Sequence, residues 1–194
     1  MVKSKIRPDY SNKQDFHLLP DDLHHALCHS VINSEERSEV VLATAVIDDI
    51  LERILRTKFK FESGAGDKEI DKILCPKYPQ ATLVGLSSRC RMARMLGLID
   101  EPTSNAIRAL ASIRNQFAHL KDPPELTEPL LQDVVNKMSK DCQNQFDVIL
   151  AAGFFPLHDA PARFLLYIFM VLYDELQLDL KEIANLTNQS PNPQ

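Results

Sequence analysis

With 194 residues, 44% of them hydrophobic and 25% charged, the chain has the make-up of an ordinary globular protein and room for one substantial core. A formal net charge of -5 argues against non-specific nucleic-acid binding, which needs surplus Lys and Arg to replace counterions, although a local basic patch would escape that test. The cysteines Cys28, Cys75, Cys90 and Cys142 are far apart, form no CxxC pair and join no His cluster at zinc spacing, so reduced thiols and no metal or other cofactor are expected.

Five glycines, no tryptophan and abundant Leu, Ala, Ile and Arg lean the composition toward helix. Met1 to Pro8 contains no apolar signal-like region, and the longest apolar run, Phe164 to Tyr173, falls short of the roughly 18–20 residues that span a bilayer. A cytoplasmic protein that does not enter the membrane is the expectation.

Residues 1–18 read as a flexible N-terminal arm, residues 19–187 as a single helical domain and residues 188–194 as a frayed tail. Pro20-Asp21-Asp22 opens a short helix to about Val31, and Asn33-Ser34 supplies an N-cap for the next, with Glu35 and Glu36 on its first turn. That helix is expected to reach about Phe59, with Val41, Thr44, Ala45, Leu51, Ile54 and Leu55 as its apolar stripe. Ser63 to Asp67 breaks the chain, a short helix covers about 67–74, and the Pro-containing stretch from Cys75 to Gly85 is a loop. Ser87 is placed as the cap of a helix that Gly97 ends at its C′ position.

Pro102 starts the next helix, which runs to about His119 before Pro123-Pro124 forbids continuation. Thr127-Glu128-Pro129 opens one to about Asn144; Asp159-Ala160-Pro161 opens a strongly apolar one to about Gln177, and a last short helix covers about 179–186. No strand alternation and no internal repeat are evident, so the fold class is all-α, an antiparallel helical bundle. The helix at 160–177, apolar almost all round, is either the bundle's centre or shared with a second subunit.

Two charges stand where aliphatic residues belong. Arg114 lies on the face of Ile107, Leu110, Ala111, Phe117 and Ala118, and Asp48 on the stripe of Val41, Thr44 and Ala45, which Arg37 continues. An isolated buried charge costs several kcal/mol or more, so Asp48 is expected to contact Arg114 or Arg89 across the bundle, leaving a charge network of Arg37, Asp48, Arg89 and Arg114. Such a network reads equally as a register-fixing ion pair or as part of a working site. His119 comes five residues after Arg114, about 140° around an ideal helix, so the two converge only if the helix end unwinds or two protomers each contribute. A histidine at a helix C-terminus also has a plain role in capping the last carbonyls.

The stretch Leu86-Ser87-Ser88-Arg89 to Leu96-Gly97-Leu98-Ile99, followed by Ile113-Arg114-Asn115-Gln116-Phe117-Ala118-His119, resembles the mannitol operon repressor family. That family carries a Ser-x-Arg helix ending in Leu-Gly-Leu-Ile, then an Ile-Arg-Asn-x-Phe-Ala-His helix. Its upstream acidic-Arg pair and Asp are matched by Glu36-Arg37 and Asp48, with Glu where Asp is more usual. The likeness covers about residues 34 to 121 and implies a regulator. The same Arg-Asn-x-x-x-His string resembles the HEPN motif of four-helix bundles, whose nuclease members cut RNA without metal by joining two protomers. It implies catalytic roles for His119 on the 2′-OH or leaving oxygen, Arg114 on the phosphate, and Asn115 in orienting them.

Leu180 to Pro191 mimics the first helix and turn of a helix-turn-helix with no recognition helix after it, so direct sequence-specific DNA reading is not expected. Gly64-Ala65-Gly66-Asp67 is not a phosphate loop, and His17, His24 and His25 near Asp21 and Asp22 read as a solvated face rather than a metal site. The expected function is therefore a mannitol repressor-like regulator acting through protein partners, as a homodimer. The alternative is an HEPN-type ribonuclease acting on RNA.

Overall fold

The computed structural model describes residues 36–119, 125–152 and 160–189. They form seven helices packed against one another, with no strand among them: α1 (Glu36–Ser63), α2 (Asp67–Leu74), α3 (Leu86–Met95), α4 (Glu101–His119), α5 (Glu128–Lys137), α6 (Lys140–Ala152) and α7 (Ala160–Gln189). The all-α bundle is as the composition and periodicity predict. The helix expected at 20–31, the Asn33-Ser34 cap, the Gly153 to Asp159 connection and the N-terminal arm lie outside the described residues.

The two longest helices, α1 and α7, pack against each other along the centre. α3 and α4 flank α1, α5 bridges α4 and α7, α6 lies on α7, and α2 folds back on α1. Every residue of α7 from Phe164 to Leu176 is buried, which assigns this all-round apolar helix to the bundle's centre. Phe146 of α6 meets Phe164 edge-on, with ring centroids 4.7 Å apart.

Three element boundaries differ from the sequence expectation. α1 continues to Ser63, one turn past Phe59, because no breaker precedes Gly64, whose φ of 61° ends the helix. The helix expected at 128–144 is two: Met138 adopts an extended backbone (φ -68°, ψ 162°), and the Ser139 hydroxyl then accepts from the Cys142 amide at 3.2 Å, as an N-cap does. α7 is one helix of 30 residues rather than two, its packed apolar face carrying it through residue 178, so the Leu180 segment is not a separate helix.

Gly97 does occupy the C′ position of α3. With φ at 67° it donates to the Arg94 carbonyl at 3.1 Å while Leu98 donates to Ala93 at 2.9 Å, the bond pair of a Schellman motif. The N-cap of α3, however, is Gly85 and not Ser87; its φ of 85° and ψ of 160° suit only glycine, and no side chain caps the helix.

Candidate functional site

The face of α1 that enters the core is Val40, Ala43, Ile47, Ile50, Leu51, Ile54 and Leu55, all 1% exposed or less. Val41 and Ala45, expected in the core, lie one step round the helix and are exposed. The edge they share with Thr44 and Asp48 forms one wall of an open cleft. The N-terminus of α3 and the Ala111–Arg114–Asn115 edge of α4 complete it, enclosing about 410 Å³.

Beneath this cleft Arg89 is the hub of the charge network. Only 5% exposed, it pairs through Nη1 with Asp48 Oδ2 at 2.8 Å and through Nη2 with Glu52 Oε2 at 2.6 Å. Nε donates to the Leu83 carbonyl at 3.2 Å, Nη2 also to the Leu74 carbonyl at 2.8 Å, and Nη1 also to the Asp48 carbonyl at 3.5 Å. A guanidinium has five N–H donors, and all five are engaged. Arg89 thus clamps both ends of the 75–85 loop and fixes where α3 begins; no donor is left for a ligand.

Of the two partners expected for Asp48, the structure supplies Arg89. Burial pushes the Asp48 carboxyl above its ordinary value while Arg89 pulls it back, and Oδ1 is buried without a hydrogen-bond partner. Glu52, not anticipated, completes the network: one turn beyond Asp48, it also holds Arg56 at 3.0 Å, which reaches Asp71 of α2 at 2.8 Å. The i, i+4 spacing of Asp48, Glu52 and Arg56 was the available signal.

Arg114 does not join that network. It is half-buried at the cleft wall, donates from Nη1 to Asn115 Oδ1 at 3.1 Å, and makes no ion pair among the described residues. It belongs to the edge of the α4 core face, whose centre is Ala106, Ile107, Leu110, Ile113 and Phe117. Arg37 lies in the first turn of α1, with its side chain outside the description. His119 is exposed at the end of α4 and is not among the cleft residues. Because α4 stays helical through His119, the end does not unwind, and one protomer does not bring Arg114 and His119 together.

Among the described residues no group of His, Cys, Asp and Glu is placed to hold a metal ion, and no helix is long and apolar enough to cross a membrane. Among the described residues Cys75, Cys90 and Cys142 form no disulfide; Cys90 Sγ lies 3.4 Å from the Ser104 hydroxyl, and burial pushes its thiol up.

No protein-family model, curated protein or solved structure matches the chain. The likenesses to the mannitol operon repressor family and the HEPN motif therefore rest on the quoted residues alone.

Proposed function

We propose that the protein is a helical regulator of the mannitol repressor-like kind, working as a homodimer in the cytoplasm through association with other proteins rather than by reading DNA. The observation supporting this is the division of labour among its charges. Arg89, buried at the base of the cleft, spends every donor on the fold, and among the described residues the open cleft above it contains no histidine to act as base. What the described lining offers is apolar wall and a guanidinium with no ion pair among the described residues, which are recognition groups. A photo-crosslinking residue in place of Val84 at the cleft rim is expected to trap one defined polypeptide in cells, and not in an Arg114→Glu background. Purified protein is expected to leave RNA intact.

The ribonuclease reading keeps one observation in its favour: Arg114 and Asn115 are hydrogen-bonded to each other and face the open cleft, as a phosphate clamp would. In that reading His119 comes from a second protomer. Incubation of labelled RNA with the protein in EDTA tests it directly. Cleavage by wild type, loss in folded Arg114→Ala and His119→Ala, and recovery on mixing the two variants would make the protein a nuclease and remove the regulator reading.

A further inference from the structure

The cleft has a specific charge imbalance. Its walls divide into an aliphatic part, Val41, Ala45 and Val84, and a polar part, Ser87, Arg114 and Asn115. Asp48 also lines it, but Arg89 matches that carboxylate at 2.8 Å, and the unpartnered Oδ1 is turned into the protein. Arg114 has no such match. Among the described residues one of its five donors is used, on Asn115, and no counter-charge faces this cation in the cleft.

The start of α3 adds to this. Its first intrahelical bond is Arg89 N–H to Gly85, so the Leu86, Ser87 and Ser88 amides precede the bonded ladder at the positive end of the helix dipole. No side chain caps them, and the Ser88 hydroxyl instead donates backward to the Val84 carbonyl at 2.8 Å.

We infer that the cleft docks a partner protein's acidic side chain flanked by an aliphatic one, the carboxylate seating on Arg114 and the aliphatic group on Val41, Ala45 and Val84. The inference rests on the regulator reading and names the chemistry of its partner. A single unmatched guanidinium calls for a single negative charge. A polynucleotide needs a row of cations, whereas Arg114 is the one Lys or Arg among the described cleft-lining residues.

The test uses the full chain, ¹⁵N-labelled, titrated with the capped tripeptide acetyl-Leu-Glu-Leu-amide and with its Gln counterpart, following backbone amide shifts. The Glu peptide is expected to move the Ser87, Ser88 and Asn115 signals at a midpoint concentration about tenfold below that of the Gln peptide. Arg114→Gln, whose folding is read from its own dispersed spectrum, is expected to abolish that difference. Equal midpoints for Glu and Gln would overturn the inference. So would inorganic phosphate, or a short oligoribonucleotide, moving the same signals at lower concentration than the Glu peptide. Indifference to Glu with the cell crosslink intact would sink only the carboxylate; RNA cleavage in EDTA would sink the regulator reading itself.

Discussion

Arg89 and Arg114 are two arginines of one resemblance with opposite fates, and their substitution should separate them. Arg89→Met strands Asp48, leaves Glu52 with Arg56 alone and frees the Leu74 and Leu83 carbonyls, so unfolding in urea is expected to become easier by about 3–5 kcal/mol. Arg114→Ala should cost less than about 1 kcal/mol, since it breaks no ion pair. Equal losses for the two would contradict the assignment of the hub. A third charge, Asp174 of α7, is 6% exposed with Oδ2 unpartnered. Burial pushes its carboxyl from 3.8 up to about 7, with Lys181 opposing and Glu175 adding. Between those values the native chain keeps a proton that the unfolded chain has lost, so stability falls as pH rises through this window and levels off above it. Asp174→Asn should flatten that slope and stabilise the protein at pH 8 by about 2–4 kcal/mol. Urea midpoints at pH 5 and pH 8 measure both effects, and a slope unchanged in the variant would assign it to another group.

Among the elements, the ends of α3 and the start of α6 rest on single residues. Gly97→Ala forces a Cβ into the left-handed region at φ 67° and should cost about 1–2 kcal/mol, with nothing nearby for the new methyl to strike. Ser139→Ala removes the acceptor of the Cys142 amide and should cost about 1 kcal/mol, read as a lower thermal midpoint. The Gly97 boundary is legible because glycine at C′ is a local requirement. The break at Met138 is harder to see, because methionine is a good helix former and its extended backbone is imposed where α5 and α6 turn toward each other. The break expected after Gln177, which does not occur, is the converse case. Polar residues enter the pattern there, yet burial of α7 on its neighbours carries the helix onward, since packing outweighs propensities of a few tenths of a kcal/mol.

For the whole molecule, α7 is the column on which the bundle closes, and truncating it tests the core as a unit. Ile168→Ala, at a fully buried position, should cost about 2–5 kcal/mol. The thiols report the same cooperativity: Cys75 is part-exposed, whereas Cys90 and Cys142 are buried. Cys90 is therefore expected to react with a thiol reagent only as fast as the bundle opens, well after Cys75, and the Ile168→Ala variant should hasten it. Early labelling of Cys90 would show that α3 detaches without global unfolding.

The sequence by itself determined the helical class, most helix positions, the all-round burial of α7, and the fact that Asp48 needs a cationic partner. Each of these follows from a local rule: periodicity, a cap, or the cost of an unpaired charge. Only the tertiary structure decided which cation answers Asp48, and that Val41 and Ala45 wall a cleft instead of filling the core. It also decided that Arg114 faces that cleft with no counter-charge among the described residues while His119 is exposed and outside the lining. The reason is geometric. One residue turns a helix by about 100°, so neighbouring stripes look alike in sequence, and the boundary between core and cleft is drawn by where the adjacent helices end. Here the clamp of Arg89 on Leu74 and Leu83 sets that end, through contacts made between residues far apart in the chain.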